Sequence, residues 1–143
     1  MGGKSSYCRM VGLNILLAQI GSFVPAASAT VSVVDSILCR VGAGDSTARA
    51  QSTFLVEMLE SASILAQASA HSFVLVDELG RGTSIDEGAG IAFAFAEHLA
   101  KEVRCFTLFA THFHELSFLE AQQPGSASTC CLQPVQLLGT ACA

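Results

Sequence analysis

The stretch Phe73–Ser84, F-V-L-V-D-E-L-G-R-G-T-S, contains the pattern that decides the fold. Its first four residues are uninterruptedly apolar, which is typical of a parallel strand covered by helices on both faces. Two acids, Asp77 and Glu78, end this run, and a glycine-rich turn follows. Because open α/β sheets bind ligands beyond the carboxyl ends of their strands, the stretch predicts a buried strand that presents two carboxylates to a site.

The sequence before this stretch predicts two helices and a strand. Apolar residues recur at helical spacing from Ser5 to about Ile20, and a second helix begins at Ser52. Between them, Thr30–Asp35 alternates as a strand does, and Ile37–Val41 either extends that strand or forms the next one.

The sequence after this stretch repeats the alternation of helix and strand. It predicts a helix from about Asp86 to Lys101, a buried strand at Phe106–Ala110 and a short helix near Phe113–Ala121. Strands that alternate with helices indicate an α/β domain with a mainly parallel sheet flanked by helices. We expect this domain to occupy residues 1–121. Residues 122–143 have no period and many turn-forming residues, which predicts a disordered tail.

Composition restricts the classes of function. The chain has 143 residues, of which 51% are hydrophobic, so one domain with a substantial core is expected. Its net charge is −5 and its seven Lys and Arg residues are scattered, so we expect no direct DNA contact by this segment. The six Cys form no C-x-x-C pair, which argues against zinc. The apolar stretch Val11–Val24 is too short and too interrupted for a membrane span.

A phosphate-binding motif is suggested where Gly2, Gly3, Lys4 and Ser5 run directly into the first helix. These residues fit the end of the P-loop pattern G-x-x-x-x-G-K-[ST], in which backbone amides and the Lys bind phosphates and the hydroxyl binds Mg²⁺. The leading Gly of the pattern would precede Met1, as would the strand before the loop, so we expect a sheet without that strand. Taken alone, G-K-S is a weak signal, and an arbitrary start before a helix is the better interpretation.

Polar residues at the strand ends complete the predicted site. Asp77 suits Mg²⁺ binding and Glu78 suits a general base, although solvated or helix-capping acids are an open alternative. His112 follows the last strand and could contact the γ-phosphate, or it could simply be a hydrogen-bonded histidine near the core. Ser52 stands at a helix N-terminus, which is an anion site or an ordinary cap.

Five motifs in order resemble the ATPase domain of the MutS family of DNA mismatch repair proteins. The resemblance covers residues 1 to about 120 and rests on Asp77–Ser84, Ala110–Leu116, Ser52–Met58, Met1–Ser5 and Leu16–Ala26. The segments Arg40–Ser46 and T-H-F-H-E-L are most similar to the eukaryotic common subunit of the mismatch-recognition heterodimers.

The resemblance implies a P-loop NTPase fold of the ABC type, with ATP and Mg²⁺ as ligands. It implies phosphate and Mg²⁺ binding by Gly2, Gly3, Lys4 and Ser5, with Asp77 on the metal, Glu78 and His112 as catalytic residues, and Gln19 and Ser52 as further nucleotide contacts. Ser52 would reach the nucleotide of a partner subunit, and Gly80–Ser84 would line the dimer interface. The implied partners are another MutS-family subunit and mismatched DNA, the latter through other domains, and the implied location is the nucleus.

Two departures from the family pattern leave alternatives open. Ile85-Asp86-Glu87-Gly88 stands where the family has T-Y-D-G, and the family's G-P-N would precede Met1. Because the P-loop pattern is incomplete and the strand before it is missing, we expect the isolated chain to hydrolyse ATP poorly or not at all. One alternative is a catalytically inactive fragment. Another is a different ABC-type ATPase, although S-T-F-L-V-E-M replaces the L-S-G-G-Q signature of the transporters.

Overall fold

The computed structural model describes residues 3–42 and 53–119. Along the chain it contains α1 (Lys4–Gln19), β1 (Ile37–Arg40), α2 (Thr53–Gln67), β2 (Phe73–Asp77), α3 (Ile85–His98) and β3 (Phe106–Ala110). A π-helical turn, Leu99–Val103, continues α3, and a 3-10 turn, His114–Ser117, follows β3. The predicted alternation of helices and strands is confirmed. The predicted tail, residues 122–143, lies outside the described residues.

The strands of the described residues form one parallel sheet in the order β1-β2-β3. The register pairs Phe73 with Ile37 on one side and with Phe106 on the other, and it ends with Asp77 beside Ala110. Every residue of β2 is buried, because this strand has a neighbour on each side and helices on both faces. Parallel pairing brings the carboxyl ends of the strands to one edge, as the site hypothesis requires.

The two faces of the sheet are covered by different helices. Phe73 and Leu75 of β2 pack toward α1, where Cys8 is fully buried, whereas Val74 and Val76 pack toward the other face. That second face is the larger part of the core and includes residues of α2, α3 and the segments after them. Alternate side chains of a strand point to opposite faces, so the apolar run of β2 supplies both layers of a helix–sheet–helix sandwich.

The predicted strand at Thr30–Asp35 is wrong; β1 is the later alternative, Ile37–Arg40. The earlier segment crosses the end of α1 instead. The amide of Gln19 donates a hydrogen bond to the carbonyl of Ser32 (3.0 Å), and the backbone N–H of Val34 donates to Oε1 of Gln19 (3.2 Å). Side-chain bonding of this kind satisfies the backbone without a strand partner, and alternation alone does not reveal it.

The ends of the later helices differ slightly from expectation. The α-helical part of α3 stops at His98 and gives way to the π-helical turn, which ends at Arg104 with a left-handed φ of 60°. The helix predicted near Phe113–Ala121 begins as a 3-10 turn. Within residues 3–42 and 53–119, no helix combines the length and the apolar character that crossing a bilayer needs.

Candidate functional site

Asp77 places a carboxylate in the protein interior at the carboxyl end of β2. It is 4% exposed, and its Oδ1 atom is buried with no hydrogen-bond partner among the described residues. Burying a charged oxygen without a partner is costly, so the arrangement is typical of a group that accepts a ligand. Mg²⁺ is a chemically suitable ligand, because its sites use one or two carboxylates together with phosphate oxygens and water.

The first turns of α1 lie close to this carboxylate, and Cys8 is affected by its charge. Burial is the main cause that raises the pKa of the Cys8 thiol from 9.0 to about 11. The charge of Asp77 raises it further, and the charge of Lys4 lowers it. The start of α1 faces the end of β2, because Lys4 forms an ion pair with Glu78, the residue that follows the strand.

Glu78 lies between two cations at the same edge. Its Oε1 is 3.4 Å from Nζ of Lys4, and its Oε2 is 2.8 Å from a guanidinium nitrogen of Arg81. The backbone of Glu78 has a left-handed φ of 56°, and its N–H donates to the carbonyl of Ala110 (2.8 Å). Non-glycine residues rarely adopt this conformation, and such strain concentrates at functional sites.

The N-terminus of α1 supplies a second set of groups for an anion. Gly3 precedes the helix with a φ of 71°, and no side chain caps the N-terminal amides. Lys4 and Ser5 occupy the first turn, and both side chains are partly exposed. Uncapped amides and the helix dipole attract phosphate, and a lysine in the first turn adds a full positive charge. Gly2 lies outside the described residues.

His112 follows β3 by two residues and is exposed. Its ring packs against Phe113 with 4.1 Å between centroids and 40° between the ring planes, and the N–H of Phe113 donates to the hydroxyl of Thr111 (3.0 Å). The hydrogen bond from Glu78 to Ala110 ties this strand end to that of β2. His112 thus belongs to the same edge of the sheet as the acids.

The structure places Gln19, another predicted site residue, away from this edge. Gln19 is the last residue of α1, 15 residues after Lys4, which is roughly 22 Å along the helix axis. Its side chain is occupied by Ser32 and Val34. Ser52, predicted to start the second helix and to contact a nucleotide, lies outside the described residues, in which α2 is seen from Thr53 onward.

The sequence interpretation missed Glu57, a buried carboxylate in α2. It is 2% exposed and accepts hydrogen bonds from the backbone N–H groups of Gly80 (2.7 Å) and Gly82 (3.3 Å). A sequence signal was available, because Glu57 shares a helical stripe with Ser61 and Ile64, the other buried residues of α2. An acid on the buried stripe of a helix indicates a partner that satisfies it.

The donor set at the edge fits Mg²⁺ together with phosphate and does not resemble a cation site built from protein alone. Among the described residues, no three His, Cys, Asp or Glu side chains are grouped to hold a metal. The available oxygens are the carboxylate of Asp77 and the hydroxyl of Ser5, which matches the few protein ligands that Mg²⁺ takes when phosphates supply the rest.

A parallel sheet between helices, with a lysine-bearing helix start facing two acids, defines an α/β fold of the P-loop NTPase type. The chain belongs to the family described as MutS domain V, whose model matches residues 1–134. This confirms the family resemblance and the fold class predicted from the motifs.

Similar proteins place the chain more narrowly. It is 60% identical over 124 residues to the DNA mismatch repair protein MSH2 of Saccharomyces cerevisiae, covering 87% of this chain and 13% of that protein. It is 60% identical over 119 residues to the DNA mismatch repair protein spellchecker 1 of Drosophila melanogaster, covering 83% and 13%. It is 56% identical over 123 residues to the DNA mismatch repair protein MutS of Treponema denticola, covering 86% and 14%. The chain therefore spans only about one-seventh of the length of these relatives.

Proposed function

We propose that this chain is the Mg²⁺·ATP-binding and ATP-hydrolysing module of a DNA mismatch repair protein. The observation that supports this most is the meeting of Lys4, Glu78 and the unpartnered oxygen of Asp77 at one edge of a parallel sheet. The high identity to proteins of mismatch repair supports the biological context.

In this proposal the phosphates bind at the start of α1. The backbone amides around Gly2 and Gly3 and the ammonium group of Lys4 contact phosphate oxygens, and the helix dipole adds to the attraction. Ser5 and Asp77 hold the metal. Bound Mg²⁺ would supply positive charge that offsets the charge on the phosphate oxygens.

Glu78 and His112 act on the reacting end of the nucleotide. Phosphate binding draws Lys4 away from Glu78, which releases one carboxylate oxygen to accept a proton from the attacking water. Arg81 stays on the other oxygen and keeps the carboxylate oriented. His112 donates a hydrogen bond to the terminal phosphate from the neighbouring strand end. Gln19 has no role in this scheme, because its side chain is bound at the opposite end of α1.

The proposal includes the context of a longer protein. A second MutS-family subunit completes the nucleotide site as a heterodimer, and the location is the nucleus, in line with the eukaryotic relatives. Mismatched DNA is contacted by other segments, because this chain carries a net charge of −5 and only seven Lys and Arg residues. A gel shift with this chain should show no preference for a G·T duplex over a matched one, and a clear preference would refute that assignment.

Nucleotide titration tests the proposal directly. We expect the 143-residue chain to bind a fluorescent ATP analogue in a Mg²⁺-dependent manner. Lys4→Ala should weaken this binding by at least about tenfold, the effect of losing roughly 1.4 kcal/mol of charge-assisted contact. The matched control is Lys101→Ala, which removes the same charge from a lysine paired with Glu97 on α3. A folded chain without Mg²⁺-dependent binding would rule the proposal out.

Hydrolysis separates the active module from a catalytically inactive one. We expect turnover that is slow and that disappears in Glu78→Gln. Nucleotide binding without any Glu78-dependent turnover would favour the inactive alternative. Fast turnover would contradict the expectation that the isolated chain is a poor enzyme.

A further inference from the structure

Glu57 is a buried carboxylate that accepts backbone hydrogen bonds from the loop that follows the proposed catalytic acid. We propose that Glu57 is a positioning residue that fixes the loop Leu79–Gly82 and thereby orients Glu78; this inference rests on the proposed ATPase function. Glu57 lies on α2 and touches neither the start of α1 nor the unpartnered oxygen of Asp77, so any effect on the reaction acts through the loop.

The contacts of Glu57 join three separate parts of the chain. Its Oε1 accepts the N–H of Gly80 at 2.7 Å and lies 3.4 Å from a guanidinium nitrogen of Arg40, at the end of β1. Its Oε2 accepts the N–H of Gly82 at 3.3 Å. Two backbone N–H groups that converge on one carboxylate form the kind of concave anion site that turns provide, and here the anion belongs to the protein.

Glycine is required at both contacted positions. A Cβ on Gly80 would lie 2.6 Å from the carbonyl oxygen of Gly88, and Gly80 has a φ of 93°. A Cβ on Gly82 would lie 2.9 Å from the Cα of Phe54. The backbone of the loop therefore lies directly against α2 and α3. The hydrogen bonds to the side chain of Glu57 fix the distance between the loop and α2.

The anchored loop controls the surroundings of Glu78. Leu79 is fully buried, and Arg81 stands between the two glycines that Glu57 holds. Arg81 in turn forms the 2.8 Å ion pair with Glu78. Glu57 is connected to the proposed catalytic carboxylate by the loop and by the ion pair of Arg81 with Glu78. Removing the Glu57 hydrogen bonds should therefore change the orientation of Glu78 and leave the start of α1 in place.

A carboxylate is needed at this position because every partner is a donor. Two N–H groups and the Arg40 guanidinium face the two oxygens of Glu57. A glutamine offers only one oxygen, and its NH₂ group would face a donor. Glu57→Gln therefore keeps the shape of the side chain and removes half of its anchoring capacity.

The experiment compares three variants of the 143-residue chain. Glu57→Gln is the test, and Glu57→Asp is the conservative variant that keeps the charge with a shorter reach. Glu60→Gln is the matched control, because Glu60 lies one turn later in α2, also pairs with Arg40 (3.0 Å) and is 49% exposed. For each protein we would measure hydrogen exchange of the Gly80 and Gly82 amides by NMR, the affinity for Mg²⁺·ATP, and single-turnover hydrolysis.

We expect Glu57→Gln to speed exchange of both amides and to slow hydrolysis by about tenfold or more, with Mg²⁺·ATP affinity changed by less than about twofold. Glu57→Asp should be intermediate and Glu60→Gln should resemble the parent. If Glu57→Gln fails to fold, the comparison of Glu57→Asp with Glu60→Gln decides. Unchanged exchange of the two amides, or an equal loss in Glu60→Gln, would overturn the inference.

The same measurements separate failure of this inference from failure of the proposed function. A parent chain that does not bind Mg²⁺·ATP removes the proposed function, while the amide exchange still shows whether Glu57 anchors the loop. A parent chain that binds and hydrolyses ATP, with Glu57→Gln equally fast, removes the positioning role alone.

Discussion

Nζ of Lys4 lies 3.4 Å from Oε1 of Glu78, so the first residue of α1 is joined to the residue that follows β2. Both side chains are largely shielded, at 13% and 18% exposure, which weakens solvent screening of the pair. The contact joins the lysine proposed to bind phosphate to the acid proposed as the general base. Exchange of this partner for a phosphate is the central step of the proposed mechanism.

Asp77→Asn should separate stability from nucleotide binding. The substitution removes a charge from a buried site where one oxygen has no partner, so the free energy of unfolding should stay constant or rise by about 1 kcal/mol. Mg²⁺-dependent ATP binding should fall by at least about tenfold, because the metal loses its carboxylate. Urea unfolding and nucleotide titration measure the two effects. A large loss of stability would show that the charge of Asp77 supports the fold itself.

Gly80→Ala should destabilise the protein strongly. Its Cβ would lie 2.6 Å from a backbone oxygen at a positive φ, and we expect a loss of about 3 kcal/mol or more. Gly90→Ala is the control, because nothing lies within 4 Å of its Cβ position in α3. That change should stabilise by about 0.5–1 kcal/mol through helix propensity. Thermal unfolding of both variants tests the close approach, and equal effects would contradict it.

Cys8 should resist alkylation. With its pKa raised to about 11, only about one thiol in a thousand is ionised at pH 8, and the side chain is fully buried. The exposed Cys39 should be labelled far sooner. Peptide mapping after a timed treatment with iodoacetamide gives both rates, and comparable labelling of the two residues would argue against the buried position of Cys8.

Cys8 should also make stability fall at high pH. The folded state raises the pKa from 9.0 to about 11, so it holds the proton more tightly than the unfolded chain does. The resulting stability is complete below about pH 9 and is lost as the pH rises through about 11, a change of roughly 3 kcal/mol. Burial also raises the pKa values of Cys39 and Cys105, so the Cys8 share is the difference from Cys8→Ala. The measurement is the free energy of unfolding as a function of pH for the parent and for Cys8→Ala. Parallel curves for the two proteins would disprove the contribution of Cys8.

Gln19→Ala should affect the fold and leave nucleotide binding unchanged. The side chain makes two hydrogen bonds to the backbone of Ser32 and Val34, so its removal should cost about 1–2 kcal/mol of stability. Mg²⁺·ATP affinity should change by less than about twofold, because Gln19 stands at the far end of α1. A tenfold loss of affinity with unchanged stability would restore the nucleotide contact that the family resemblance implies.

The fold was largely predictable because its decisive signals are local. The run Phe73–Val76 is long enough and apolar enough to require burial on both faces, and the periodic helices around it leave few other arrangements. The strand prediction for Thr30–Asp35 was wrong because this segment alternates apolar and polar residues as a half-buried strand does. Its backbone partner is a single side chain, Gln19, whose position depends on how α1 ends.

The sequence indicated those residues of the candidate site that have reactive side chains at the end of a strand. It did not indicate residues whose partners are set by tertiary packing. Asp77 and Glu78 stood out because two acids follow an apolar run. Glu57 stood out less, since its place on a buried helical stripe indicates only that it has some partner. The sequence does not show that the partners are the backbone N–H groups of Gly80 and Gly82. Only a three-dimensional arrangement shows that the loop turns its amides toward α2.

The contacts that hold α1 on the sheet lie along one side of the helix. Cys8 is its one fully buried residue, about 6 Å along the axis from Lys4 and about 16 Å from Gln19. Val11 and Ile15 follow Cys8 at helical spacing and pack on the same face of the sheet. The end of α1 that carries Lys4 and the end that holds Ser32 and Val34 therefore belong to one continuous helix seated on β2 and β3.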